Sequence, residues 1–444
     1  MLTSLRRLSV LAFTSLVLAC ATRGATSSSQ PSTETPMTTP SPLDSSAEQY
    51  VKLVLAVGQH DGNYVDAYYG PEDWKKEAEA TKLPLPEIAS RAAALVKSVE
   101  AVPEPSETLL AMRRRFLLTQ LSALAARVRM LSGERLKFDE ESQALYDAKD
   151  PGHTEAEFEA MISELEKLVP GSGPLGERLE RFRKDFVIPK DKLDPVFRAA
   201  IEEARRRTLK HVTLPAHETF TLEYVTQKPW GGYNWFKGNA TSLIQINTDL
   251  PIFILRAIDL AAHEGYPGHH VYNALLEQHL VRERGWVEFT VYPLFSPMSL
   301  IAEGSANYGI DVAFPDAEAY LRDVLFPLAG LDPKRAANYV RVEELAAKLS
   351  YVGNEAARRY LDGSMSREAA RDWLVRYGLV SPERATQRMS FIDTYRAYVI
   401  NYNLGQDMVK QYVERHAGPG ASPERRWQVF RELLSSPRLP SDLR

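Results

Sequence analysis

Three of the chain's nine histidines stand within the eight residues His263-Glu264-Gly265-Tyr266-Pro267-Gly268-His269-His270, beside a carboxylate. Neutral imidazole and carboxylate are the usual ligands of a hydrolytic zinc, which keeps one coordination position open to water and lowers that water's pKa to about 7. A His-Glu pair at the end of a helix sets a ligand beside a general base, as in the H-E-x-x-H zinc peptidases. Here Pro267 holds the place of the second histidine, as if two residues had been inserted. On a straight helix His270 would lie about 10 Å along the axis from His263, and His269 about 9 Å along and about 120° round, whereas two nitrogens on one zinc are about 3.3 Å apart. A straight helix fails for both. Pro267 cannot donate to the carbonyl of His263 and Gly268 permits unusual backbone angles, so a bulge at this pair is expected to bring in His269 as the second ligand. His270 is then left for substrate or an orienting role.

These side chains need elements that bury them. Asn247-Thr248-Asp249-Leu250-Pro251 reads as a helix start, with Thr248 or Asp249 as cap and Pro251 in the first turn. The helix expected from Ile252 to Glu264 is apolar on most sides, so Glu264 sits where an unpartnered carboxylate is costly and a metal would offset that cost. A third ligand is expected from the helix opened by Ser296-Pro297, where Glu303 stands in an apolar turn. Asn307 and Asp311, four and eight residues on, fall near its face and could orient ligands. Ahead of the motif, Phe220 to Val225 and Ser242 to Asn247 read as two antiparallel strands of a small sheet. The aromatic stretch Trp230 to Trp235 between them is too long for a tight turn and either lines the cleft or packs under the sheet. The other His-Glu pair, His217-Glu218, has Thr221 where a second histidine would fall and reads as structural.

Near the C-terminus, Tyr395, Tyr398 and Tyr402 share a helical face beside Arg396. A phenol such as Tyr398 or Tyr402 could steady an oxyanion, and Arg396 could clamp a substrate carboxylate. Tyr308 is a further candidate for holding substrate, with Tyr351 and Tyr360 as competitors.

The remainder sets the context. The 444 residues, 44% hydrophobic and 25% charged with net charge −4, can bury a large core and carry no basic surplus, which argues against a nucleic-acid partner. Residues 1–19 read as a signal peptide, with Arg6 and Arg7 ahead of an apolar stretch too short to span a bilayer. Val17-Leu18-Ala19-Cys20 resembles a bacterial lipobox, which implies acylation of Cys20, the only cysteine, and with Ala21 behind it an outer-membrane anchor facing the periplasm. Residues 20–45, rich in Ser, Thr and Pro, read as a tether. From Ala47 to about Val212 proline-punctuated helices are expected, as in the face Phe158, Met161, Ile162, Leu165, Leu168 and Val169; Arg113-Arg114-Arg115 reads as a solvated helix face. Residues 46–444 then form a single domain, mainly α with a small antiparallel sheet beside the metal helix.

The motif, preceded by Ile246-Asn247-Thr248 and followed by Glu303-Gly304-Ser305-Ala306-Asn307-Tyr308, resembles that of the bacterial domain-of-unknown-function 885 family, H-E-x-x-P-G-H-H with a later E-G-x-A-x-Y. That family is grouped with the glutamate-zinc metallopeptidases. The resemblance implies His263, His269 and Glu303 as ligands of one zinc ion and Glu264 as the base. Ser305 replaces the family's usual aromatic residue, and Leu404-Gly405-Gln406 stands for its P-G-Q. The expected function is a zinc peptidase acting on a peptide or small amide. A metal-dependent hydrolase of a non-peptide amide or ester, and a non-catalytic metal-binding lipoprotein, are the alternatives.

Overall fold

The computed structural model describes residues 41–228 and 230–444. The signal peptide, Cys20 and most of the tether lie outside the described residues. The tether ends before residue 45, because the first helix is Asp44–Gly58 and Leu43 ahead of it is already buried. Among the described residues no helix is long and apolar enough to cross a membrane.

The protein is mainly α-helical with small antiparallel strand pairings. Its first half is the expected helical array. Ahead of Glu155–Leu168, the Thr154 hydroxyl accepts from the Glu157 amide at 3.3 Å while the Glu157 carboxylate accepts from the Thr154 amide, a capping box that starts the helix. Phe158 and Leu165 form its buried face. One strand interrupts the array: β1 (Val65–Tyr68), which pairs antiparallel with β5 (Val291–Pro293). The arginine run is not simply solvated. Arg113 is fully buried, its Nε 2.6 Å from Glu288 and its Nη1 2.6 Å from Asp44. Only a paired guanidinium tolerates such a position, and this one ties the first helix to the segment that leads into β5.

The main sheet differs from expectation in order and direction. It has three strands, β2 (Thr219–Val225), β3 (Gly232–Phe236) and β4 (Thr241–Asn247), in the order β2-β4-β3. β2 runs parallel to β4, while β3 and β4 form an antiparallel hairpin. The aromatic stretch expected to be a connection is itself an edge strand. Gly231-Gly232 hides it from propensity, yet a side chain at 232 would press on Leu260 and Glu264.

The helix before the motif also begins later than expected, at Leu255. Ile252 is used otherwise: its carbonyl accepts from Ile188 and the amide of Ile254 donates to Phe186, both at 2.9 Å. Thr248 and Asp249 therefore cap no helix. Asp249 instead accepts from the Gln227 amide at 2.7 Å, closing the loop after β2.

Candidate metal centre

After Leu260 the helix widens into a π turn, Ala261–Gly265. The amide of Tyr266 donates to Ala261, and that of Gly268 reaches back to Ala262 at 2.9 Å, so the ladder passes over Pro267. A new helix, His269–Leu276, then starts in another direction. Gly268 makes the corner possible, since a Cβ there would fall 1.8 Å from the carbonyl oxygen of His263. His263 ends one helix and His269 begins the next, with ring centres 4.7 Å apart.

Glu303 meets them from the helix Pro297–Ala313. Its Oε2 lies 3.3 Å from His263 Nε2 and 3.7 Å from His269 Nε2, close to the spacing of about 3.3 Å for two ligand atoms on one zinc. Asn307 decides what faces what. Its Nδ2 donates to the Tyr402 carbonyl at 2.9 Å, which turns Oδ1 toward His263 Nδ1, also at 2.9 Å. His263 Nδ1 then carries the hydrogen and Nε2 presents its lone pair to Glu303 Oε2. That oxygen is buried without a hydrogen-bond partner. Two lone-pair atoms facing each other in a buried place call for a cation, and the donor set His263, His269 and Glu303 suits a divalent metal. Tyr398 donates to the other carboxylate oxygen, Oε1, at 2.8 Å and sets the Glu303 rotamer.

The electrostatics agree. Burial raises the Glu303 carboxyl pKa, but the adjacent His263 and His269 rings outweigh it and hold the group well below the carboxylate range. Burial lowers His269, and Glu303, aided by Glu264 and Asp66, overcomes this and takes it to about 9.

The cluster opens on a cavity of about 820 Å³, the size of a small-molecule or short-peptide site. Glu264 lines it. The Glu264 backbone is held by Asn234 Nδ2, 2.7 Å from its carbonyl, while the carboxylate has no protein hydrogen-bond partner among the described residues. Tyr402 also lines the cavity, with its phenol pKa raised well above normal by burial and then by Glu303, so it stays a proton donor.

Four site assignments need correction. His270 does not face substrate; it is fully buried, with Nδ1 2.9 Å from Ser242 Oγ and Nε2 3.1 Å from Glu218 Oε2. It leads into the protein because it follows His269 by one position, about 100° around the new helix. Arg396 clamps nothing in the cavity; its Nε donates to Glu141 at 2.7 Å, an internal carboxylate. Tyr308 is buried against Phe430, away from the cavity lining. Asp311 likewise orients no ligand, its carboxylate accepting from Gln406 at 3.3 Å. The structural reading of Glu218 agrees with the fold: it accepts from Tyr266 at 2.7 Å, from Arg205 and from His270, bracing both flanks of the Pro267-Gly268 corner.

Sequence reasoning missed Asp66, Tyr292 and Arg388, all of which line the cavity, while Tyr233 reaches it from the aromatic stretch Trp230 to Trp235, which lines the cleft as one of its two expected readings had it. β1 supplies Asp66, whose carboxyl is pushed up to about 6 by burial despite the 2.5 Å bond from Tyr233. β5 supplies Tyr292, whose buried hydroxyl has no partner. A four-residue strand carries no motif, so nothing local marks Asp66. Arg388 could have been found by extending the tyrosine spacing back two turns from Tyr395 along the same helix.

No family model matches the chain, and no curated protein matches it in sequence. Among solved structures, a protein of Colwellia psychrerythraea described as a "putative lipoprotein" is similar in fold, with TM-score 0.50 and 15% identity over 93% of this chain and 76% of that one. A "putative lipoprotein of unknown function" from Shewanella oneidensis aligns at TM-score 0.41 and 11% identity over 88% of this chain and 82% of that one.

Proposed function

We propose that this chain is a zinc-dependent peptidase, exported and held by an acylated Cys20 at the periplasmic face of the outer membrane. The observation that supports this most is the convergence of His263, His269 and the orphaned Glu303 Oε2 at a cavity into which Glu264 presents a free carboxylate. A site built only to store metal would close its coordination sphere and needs no base beside it.

His263, His269 and Glu303 would hold a zinc ion, which would supply a polarising charge and make water a better nucleophile near neutral pH. Glu264 accepts a proton from the attacking water and delivers it to the leaving amine. Tyr402 and Tyr292, whose hydroxyls are uncommitted, donate to the oxyanion, whereas Tyr398 is occupied with Glu303. Asn307 keeps His263 in its ligand tautomer. The lipoprotein descriptions of the structural neighbours accord with the lipobox-like Val17-Leu18-Ala19-Cys20.

Purified protein screened against blocked and free peptides, with and without chelator and zinc add-back, tests the proposal. Chelator-sensitive hydrolysis that falls about a hundredfold or more in Glu264→Gln at unchanged metal content is expected. Hydrolysis surviving that substitution removes Glu264 as base, and no hydrolysis of any peptide by metal-loaded protein removes the peptidase.

A further inference from the structure

The cavity charges fall into spent and unspent groups. Arg256 is 3.2 Å from Asp259, Asp66 is bonded by Tyr233, and Asp249 accepts from the Gln227 amide. Arg384 and Arg388 are unspent: both line the cavity, and no carboxylate lies within ion-pair distance of either guanidinium among the described residues. They sit one turn apart on the helix Pro382–Tyr395, which Ser381 caps and whose same face shows Phe391 and Tyr395 to the cavity.

We infer that Arg388, assisted by Arg384, forms a subsite for a carboxylate of the substrate. This rests on the hydrolase reading for its purpose, though not for its chemistry. Both guanidinium groups are half-buried at one wall of the cavity, and partial desolvation of a cation without a partner is a cost that the fold accepts there twice. Burial lowers both guanidinium pKa values, consistent with poor solvation there. The geometry suits a planar anion. Phe391 lies 5.2 Å from the Arg388 guanidinium carbon and Phe253 5.8 Å from that of Arg384, so a ring supports each fork. On another side the backbone of Gly353 comes so close that a Cβ there would stand 3.4 Å from Arg388 Nη2. A guanidinium fixed in this way offers two parallel N–H groups, which match a carboxylate and discriminate against a neutral amide. Tyr402 is the titratable neighbour that bears on Arg388, which links the subsite to the wall beside Glu303. A peptide whose C-terminal carboxylate docks at Arg388, or one whose Asp or Glu side chain does, would lie with its backbone running toward the ligand cluster.

The test uses full-length, zinc-loaded Glu264→Gln protein, so that binding is read without turnover. Calorimetry compares N-acetylated tripeptides ending in Ala, Leu, Phe or Lys with their C-terminal amides, and amides carrying Glu with amides carrying Gln. Acid binding at least about tenfold tighter than amide is expected, with the ratio falling to near one when Arg388→Gln is added. A preference confined to the Glu-bearing amides would identify the anion as a side chain. Arg388→Lys keeps the charge and loses the fork, and should lose most of the preference even where Arg388→Gln folds poorly. Equal binding within both the acid–amide and the Glu–Gln pairs, or a preference that survives both substitutions, overturns the subsite. The hydrolase reading fails separately: carboxylate-dependent binding without wild-type hydrolysis removes the peptidase and keeps the subsite, while equal kcat/KM on acids and amides does the reverse.

Discussion

Gly304 and Gly405 meet backbone to backbone where the helix Pro297–Ala313 crosses Ile400–Ala417; a Cβ on Gly304 would stand 2.4 Å from the Gly405 carbonyl carbon and oxygen. The residue before the first glycine is the candidate ligand Glu303, and the turn before the second carries Tyr402, whose carbonyl holds Asn307. The close crossing therefore sets the distance between the ligand helix and the tyrosine wall. Gly405→Ala should cost about 1–3 kcal/mol in denaturant unfolding and lower metal retention at the same time. A fully stable variant with full metal content would show that the crossing does not position the site.

His269→Ala should lose most bound zinc, because it removes a proposed ligand. His270→Ala should keep the ligand atoms but remove a buried donor to Glu218, costing about 1–3 kcal/mol. Elemental analysis beside urea denaturation separates the two, and zinc loss from His270→Ala at unchanged stability would exchange their roles.

Tyr398→Phe removes one hydrogen bond to Glu303 and leaves Tyr402 and Tyr292 in the cavity. Zinc affinity should fall by about tenfold, by analogy with other ligand-orienting groups, with a smaller effect on any turnover by the fully loaded protein. Turnover collapsing at full metal occupancy would make Tyr398 the oxyanion donor.

The metal-free protein should show a pH signature. His269 is raised from its ordinary value of about 6.5 to about 9, so the folded state holds this proton more tightly than the unfolded chain. The stabilisation is complete below about pH 6.5 and is lost as pH rises through about 9. Metal must displace the same proton, so apparent affinity should rise about tenfold per pH unit through neutrality toward pH 9. Melting curves of apo-protein and zinc titrations across pH 6.5 to 9 read both, and an affinity flat over that window would exclude the proton from the site.

Cys20→Ala should move the protein from the membrane to the soluble fraction or leave it uncleaved, since acylation would supply the membrane affinity. Unchanged membrane association with normal processing would remove the anchor.

The residues of the candidate metal cluster were legible in the sequence because chemistry restricts what a ligand can be: a dense His-Glu motif, a proline that must break its helix and a glutamate in an apolar turn are local features. The helical class was legible for the same reason, from the 3.6-residue spacing of faces such as Phe158 and Leu165. Strand order was not, because alternation marks a strand without naming its partner, and β4 could accept β2 on one edge and β3 on the other. The roles of neighbours needed the tertiary structure most. Arg396, Tyr308 and His270 have the side chains of a catalytic site, yet burial gave them Glu141, Phe430 and Glu218 as partners. Asp66, Tyr292 and Arg388 carry no motif and reach the cavity because segments more than 200 residues apart, β1 and β5 among them, pack around it. Which side chain faces a cavity depends on where whole elements dock, and docking is decided by long-range packing that no window of sequence contains.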